Sequence, residues 1–145
     1  MADPAPGRDL RVERVLETAL YVDDLDRATR FYRDVMGLRP LTANDRIVAL
    51  DAGKGTVLLL FRRGASAGGV ETPNGPIPPH DGHGPGHFAF AIERDSLDGW
   101  RRRLRSGGID IESEMTWARG GVSLYFRDPD GHSVELATPG VWAVY

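Results

Sequence analysis

Three polar side chains lie in strand-like stretches whose other residues alternate between large and small. Residues 17–22 read ETALYV, residues 87–92 read HFAFAI, and residues 133–138 read SVELAT. Carboxylate and imidazole groups are common ligands of divalent cations, and two carboxylates that face one small cavity repel each other unless a proton or a cation neutralises them. Glu17, His87 and Glu135 are therefore candidate metal ligands, and a substrate would take the open coordination positions of such an ion.

The alternation predicts which way each side chain points, because successive residues of a strand face opposite sides of the sheet. His87 shares one face with two alanines, while the bulky residues of its strand share the other face. The same parity puts Glu17, Ala19 and Tyr21 together and separates Glu135 from its bulky neighbours. We use the term lean faces for the surface that carries Glu17 in the first half and the surface that carries His87 and Glu135 in the second half. Taken singly, the glutamates also fit exposed rim positions and His87 fits a hydrogen-bonded structural role, but their shared parity favours one common cavity.

The elements that carry these residues occur twice along the chain. After Glu17, and again after His87, a strand is followed by an acidic turn, a helix that ends at glycine, and three strands. Apolar residues at helical spacing predict helices that begin at Leu25 and at Leu97 and end at Gly37 and at Gly107. The remaining strands are predicted at 39–43, 46–51, 56–62, 109–117, 122–127 and 132–138.

Residues 63–86 connect the halves and are rich in glycine and proline. This composition predicts a long loop, either an exposed tether or a mobile cover. His80 and His83 lie in this segment, and we expect them to be mobile and exposed rather than grouped with His87.

The repeat also predicts how many ligands the site has. Aligning the last strands of the two halves places Leu59 opposite Glu135, so the fourth symmetric position is apolar. Three protein ligands with open coordination sites are typical of a working metal site, whereas structural sites are closed.

Composition narrows the class of protein. The chain has 145 residues, which fits one domain, and no cysteine, which excludes disulfides and thiolate ligands. Its net charge of −3 argues against a nucleic-acid partner, and the basic stretch WRRRLR at 100–105 fits a solvated helix face. Residues 1–10 lack the apolar core of a signal peptide, and no stretch is apolar enough to span a membrane. A cytoplasmic protein without a membrane partner is predicted.

A family resemblance lies in three features: the two similar halves, the motif VDDLDRATRFYRDVMGL after the first strand, and the motif YFRDPDGHSVEL near the end. With these features the chain resembles the vicinal oxygen chelate superfamily over about residues 12–140. Glyoxalase I, fosfomycin-resistance proteins, extradiol dioxygenases, methylmalonyl-CoA epimerase and bleomycin-resistance proteins belong to it. The resemblance implies an α+β fold with two βαβββ modules, at about 12–62 and 87–140, in a single domain covering 1–145. The modules form a cupped, barrel-like mixed sheet with helices on the outer face. It also implies a homodimer, in which the halves pair within or across chains.

Family ligands come from the first strand of each half and the last strand of the second, which again selects Glu17, His87 and Glu135. His132 takes a turn position that the resemblance implies is structural. The family usually has histidine or glutamine where this chain has Glu17, and glyoxalase I has an acid near Leu59, whose absence argues against lactoylglutathione lyase activity. Dioxygenases use two histidines and one carboxylate. The additional carboxylate does not select among Mn, Fe(II), Ni, Zn and Mg, so the identity of the single bound ion stays open.

The segment WARGGVSLYFRDPDGH is most similar to the fosfomycin-resistance branch, although Ala19 stands where that branch has threonine. Tyr125 takes the place of a substrate-contacting tyrosine. Arg119, Trp117 and Tyr21 are further candidates for substrate contact. Alternatively, Arg119 is a solvated loop residue, Trp117 is a core residue, and Tyr21 merely fills the pocket.

The predicted function is that of a metal-dependent lyase, transferase or dioxygenase that chelates two adjacent oxygens of a small substrate, with the ion acting as a Lewis acid. The alternative is a metal-free protein that sequesters a small molecule, as the bleomycin-resistance branch does. No catalytic residue besides the ligands is predicted.

Overall fold

The computed structural model describes residues 10–145, and within that range the chain forms ten strands and two α-helices. Residues 1–9, which carry most of the segment predicted to lack a signal-peptide core, lie outside the described residues.

The first module has a mixed four-stranded sheet and one helix. Strand β1 (Glu17–Val22) is followed by α1 (Leu25–Arg30), which continues as a π-helical turn over Phe31–Val35. The strands β2 (Arg39–Ala43), β3 (Ile47–Gly53) and β4 (Thr56–Arg62) complete the sheet in the order β1-β4-β3-β2, with β1 parallel to β4.

The connecting segment 63–86 is more ordered than its composition predicts. It contains a short hairpin of β5 (Val70–Thr72) and β6 (Gly75–Ile77), which pair with each other and form a separate two-stranded sheet.

The second module repeats the first. Strand β7 (His87–Ala91) leads through a 3₁₀ turn (Arg94–Ser96) into α2 (Leu97–Ser106), and β8 (Ser113–Thr116), β9 (Val122–Arg127) and β10 (Ser133–Ala137) follow. The sheet order is β7-β10-β9-β8, with β7 parallel to β10. The predicted α+β fold of two βαβββ modules with open, cupped sheets is confirmed.

Local signals in the sequence account for the element ends. The Asp24 side chain accepts the Arg27 N–H and caps α1, and Gly37 has a φ of 79°, which favours glycine after the helix. The strand predicted over 109–117 is shorter in the structure, because Ile109 bonds back to the end of α2 and Glu112 is the first residue of this stretch to bond to β9.

One apolar core serves both modules. The bulky faces of both sheets and the inner sides of both helices contribute buried residues to it, including Leu20, Tyr32, Leu58, Leu104, Leu124, Phe126, Val134 and Leu136. Both lean faces therefore point away from this shared core.

The turn between β9 and β10 fastens the second module to the first. The Tyr32 hydroxyl donates to the buried Asp128 carboxylate at 2.7 Å, and the Asp130 carboxylate accepts the backbone N–H of Asp23 and a guanidinium N–H of Arg27. Burial and the charge of Asp128 raise the pKa of Tyr32, so its phenol stays protonated.

His132, from the same turn, is buried and uses both ring nitrogens. Its Nδ1 accepts the backbone N–H of Gly86 at 2.8 Å, so its Nε2 carries the proton and donates to the carbonyl of Tyr21, also at 2.8 Å. His132 thus joins β1 to the start of β7, which is a structural role.

No helix among residues 10–145 is long and apolar enough to cross a membrane.

Candidate metal and substrate site

The lean face of the second module brings two of the three predicted ligands together. Glu135 lies on β10 directly beside Ala89, and His87 lies beside Ser133 two residue pairs away along the strands. His87 Nε2 and Glu135 Oε1 are 3.3 Å apart, with 52% of the imidazole but only 9% of the carboxylate side chain exposed. Ala89 and Ala91 are exposed beside them, so this part of the sheet is open.

The imidazole of His87 is oriented by the backbone. Its Nδ1 lies 3.0 Å from the carbonyl oxygen of Ser133, and because a carbonyl only accepts, Nδ1 is the protonated donor of this bond. Nε2 faces Glu135, where it binds a cation through its lone pair if unprotonated and donates to the carboxylate if protonated.

The carboxylate of Glu135 is oriented by a serine. Ser123 Oγ lies 2.5 Å from Glu135 Oε2, which leaves Oε1 facing His87. Nε2 and Oε1 face each other across 3.3 Å, which is favourable only with a proton or a cation between them. Two ligand atoms that are each about 2.1 Å from one ion and about a right angle apart are about 3 Å from each other, so this pair fits a divalent cation.

Tyr125 and Trp117 border this pair. Tyr125 lies directly across from Glu135 on β9, and its ring stacks beside that of His87 at a centroid distance of 6.2 Å. Partial burial first, and the charge of Glu135 second, raise the pKa of the Tyr125 phenol, so Tyr125 is a proton donor at neutral pH. The indole N–H of Trp117 donates to Ser123 Oγ at 2.8 Å.

Arg119 is exposed and forms no hydrogen bond or ion pair through its side chain with another residue of the described range 10–145. This position agrees with the alternative of a solvated loop arginine, and it leaves the guanidinium available to a ligand.

Glu17 is not brought to His87 and Glu135 by the fold of one chain. It is exposed at the start of β1, and the portion of the chain from residue 10 onward contains no group of three acidic or histidine side chains that could hold an ion. Among residues 10–145, β1 and β7 each pair with a single strand, and a cleft of about 740 Å³ lies along these two edges. Glu17, Phe90 and Ala91 line this cleft, but His87 and Glu135 do not.

The strand register gives Leu59 the place in the first module that Glu135 has in the second. Leu59 lies opposite Ala19 on β1, as Glu135 lies opposite Ala89 on β7. The fourth symmetric position therefore holds a half-buried leucine.

The expectation that His80 is exposed and mobile was wrong. Its Nδ1 lies 2.8 Å from the Tyr21 hydroxyl, and its ring packs edge-on against Phe61 at 4.5 Å. The segment is held there because Arg63 donates to the carbonyls of Tyr21 and Gly82. His83 has 81% of its side chain exposed, as expected. Tyr21 thus lies beneath the connecting segment rather than open to solvent.

We expect Gly82→Ala to displace this segment, because a Cβ at Gly82 would lie 2.4 Å from the Tyr21 ring. The free energy of unfolding should fall by about 1–3 kcal/mol, as overpacked sites do, and cleavage by trypsin after Arg63 should become faster. Gly68→Ala in the same segment is the control, since a Cβ there meets nothing within 4 Å. Equal effects of both substitutions would contradict this explanation.

Several known proteins are similar to this chain in sequence and structure. The family model of the Glyoxalase/Bleomycin resistance protein/Dioxygenase superfamily matches residues 14–136. The chain belongs to this superfamily. A lactoylglutathione lyase of Haemophilus influenzae is 32% identical over 127 residues, which cover 85% of this chain and 90% of that protein. A metallothiol transferase FosB of Shouchella clausii is 29% identical over 119 residues, covering 81% and 74%.

Among solved structures, a lactoylglutathione lyase from Agrobacterium tumefaciens superposes with a TM-score of 0.82 at 38% identity and covers 91% of this chain and 98% of its own. This superfamily member therefore shares both its fold and a substantial part of its sequence with enzymes that act on small molecules.

Ser123 was missed by sequence reasoning. It has the same strand parity as Tyr125, two residues further on, and that parity was the one available signal that its side chain belongs to the lean face.

Proposed function

We propose that the protein is a divalent-metal-dependent enzyme that binds a small substrate through two adjacent oxygens. The observation that carries this proposal is the pair of facing electron-pair donors, His87 Nε2 and Glu135 Oε1, with each side chain oriented from behind by a hydrogen bond. A divalent cation between these two atoms would satisfy both of them without a proton on His87 Nε2.

Glu17 is proposed as the third ligand, supplied by a second copy of the chain. The unpaired edges of β1 and β7 offer backbone groups for pairing, and Val15 and Leu16 are exposed apolar side chains that line the cleft along these edges. A two-fold dimer would set β1 of one protomer beside β7 of its partner, and the two lean faces would then form one cup.

The ligand set suits the charge of the ion. Two carboxylates balance a 2+ charge, and the imidazole adds a neutral donor, which Mn, Fe(II), Ni, Zn and Mg all accept to different degrees. When bound, the ion supplies Lewis-acid polarisation of the chelated oxygens and stabilises negative charge that develops on them.

The other residues of the cup have distinct tasks. Ala19, Ala89 and Ala91 leave space for the substrate, and the Tyr125 phenol holds a proton close to the site. We propose Tyr125, Trp117, Arg119 and Tyr21 as the substrate-facing set, with Tyr21 reached beside the connecting segment.

The relatives include a lyase and a thiol transferase, and Leu59 bears on the choice between such reactions. An apolar side chain at the fourth position leaves one more coordination position open to substrate or water than a carboxylate would. We propose a reaction that needs no fourth protein ligand, in a protein of the cytoplasm.

Metal titration tests the proposal. Protein prepared without a histidine tag and stripped with a chelator should bind about one Mn, Ni, Zn or Fe(II) ion per chain and unfold at a higher temperature with the ion present. A screen of diols, 2-oxoaldehydes, catechols and phosphonates should then find compounds that stabilise the metal-loaded protein further. Wild-type protein that binds no ion would contradict the enzyme proposal and support the metal-free sequestering function instead.

A further inference from the structure

We propose that Trp117 and Ser123 form a positioning relay that fixes the Glu135 carboxylate for metal binding. This inference rests on the proposed function, since it assigns two residues to the orientation of a proposed ligand.

The direction of each hydrogen bond in the relay follows from the groups involved. An indole N–H only donates, so Trp117 donates to Ser123 Oγ at 2.8 Å. A serine hydroxyl has one proton, and that proton is directed to Glu135 Oε2 at 2.5 Å because an ionised carboxylate only accepts. The chain of donors therefore ends at the carboxylate and cannot be reversed while Glu135 is ionised.

The relay selects one oxygen of the carboxylate. Ser123 is fully buried and Glu135 nearly so, and the hydrogen bond to Oε2 stops rotation of the carboxylate about its terminal bond. Oε1 is then held opposite His87 Nε2 at 3.3 Å. Ser133, through its carbonyl, does the same for the imidazole, so both ligands are oriented before an ion arrives.

The relay also polarises the hydroxyl. Because Ser123 Oγ accepts from the indole, its proton is a stronger donor to Glu135 than that of an isolated serine. Removing Trp117 should therefore weaken the Ser123–Glu135 bond without removing any group that touches the ion.

Ser123→Ala is expected to weaken binding of Zn²⁺ to the chelator-stripped protein by about 10–100-fold, measured by calorimetric titration. Trp117→Phe should weaken it by less, and the double variant should be no weaker than Ser123→Ala alone, because the indole acts only through the hydroxyl. Ser123→Thr keeps the hydroxyl and should restore most of the affinity. Ser66→Ala is the matched control, since Ser66 is equally buried but bonds to Arg46 in the first module.

A spectroscopic measurement separates orientation from a general loosening of the fold. In the variant Trp100→Phe/Trp142→Phe, Trp117 is the one remaining indole of the three in the sequence. Zn²⁺ should shift its emission, and Ser123→Ala in this background should abolish the shift while the unfolding temperature of the metal-free protein stays close to that of its parent.

Each outcome decides the matter. Wild-type protein that binds no Zn²⁺ removes the proposed function and this inference together. Wild-type protein that binds Zn²⁺, with Ser123→Ala equal to it or with Ser66→Ala equally weakened, overturns the relay alone. Additive losses in the double variant also overturn it, because they would show that Trp117 acts independently of Ser123.

Discussion

Glu135→Gln is expected to lose divalent metal binding while the metal-free protein keeps its stability or gains some. In the wild-type chain Glu135 Oε1 and His87 Nε2 lie 3.3 Å apart, either joined by a proton or, where Nε2 is unprotonated, with a position for an ion between them. A glutamine would accept the Ser123 proton with its carbonyl and donate its amide N–H to His87, which satisfies both neighbours. The same change removes one of the two negative charges that hold the ion. The loss of affinity should therefore exceed the about 10–100-fold that an outer hydrogen-bond partner costs.

Thermal unfolding with and without Zn²⁺ measures both effects. At a free Zn²⁺ concentration of about one hundred times Kd, wild-type protein should gain about 2.7 kcal/mol, and Glu135→Gln should gain nothing. Glu112→Gln is the control, because Glu112 is an exposed carboxylate that pairs with Arg127. If instead His87 and Glu135 form a structural ion pair, Glu135→Gln would lower the stability of the metal-free protein, since a neutral hydrogen bond would replace a charge-assisted one.

The parts of the site that lie along one strand were predictable from the sequence. The period of two is a local property, so the alternation in HFAFAI places His87 beside alanines whatever the rest of the chain does. Shared parity predicted that His87 and Glu135 face one cavity, and the observed pairing of β7 with β10 brings the two side chains together. The alignment of the two halves placed Leu59 where the observed register has it.

The relative placement of the two modules was not predictable in this way. Parity shows that each module has a bulky and a lean face, but it does not show whether one chain joins the lean faces or the bulky ones. The structure joins the bulky faces in one core, through Tyr32, Phe126 and their neighbours. Glu17 consequently lies apart from the other two candidate ligands, and a single chain does not close the predicted cup.

The position of the connecting segment was not predictable from the sequence for a different reason. Its glycines and prolines predict irregular backbone, and the contacts that hold it are single long-range bonds such as Tyr21 to His80. Such bonds leave no periodic pattern in a sequence. Ser123 was overlooked because a short polar residue in a strand has many ordinary roles, and only its bonds to Trp117 and Glu135 distinguish it.

A hybrid dimer with Glu17→Ala in one protomer and Glu135→Ala in the other is expected to recover about half of the wild-type metal content, although each parent dimer binds almost none. If each cup takes Glu17 from one protomer and His87 and Glu135 from its partner, one cup of the hybrid has lost both carboxylates and the other is intact. The hybrid is isolated by two different tags that do not bind metals, and its bound Mn²⁺ is measured by atomic emission.

The converse hybrid decides between pairing across chains and within them. One protomer carries both substitutions and its partner is wild type, so pairing across chains damages both cups and predicts almost no bound ion. Pairing within a chain predicts the opposite result in each experiment, since the wild-type protomer would keep its own complete site while the first hybrid would keep none. The cleft along β1 and β7, lined by Glu17 but not by His87 or Glu135, is the observation that favours pairing across chains. A hybrid with one substitution in each protomer that stays as empty as its parents would refute that arrangement.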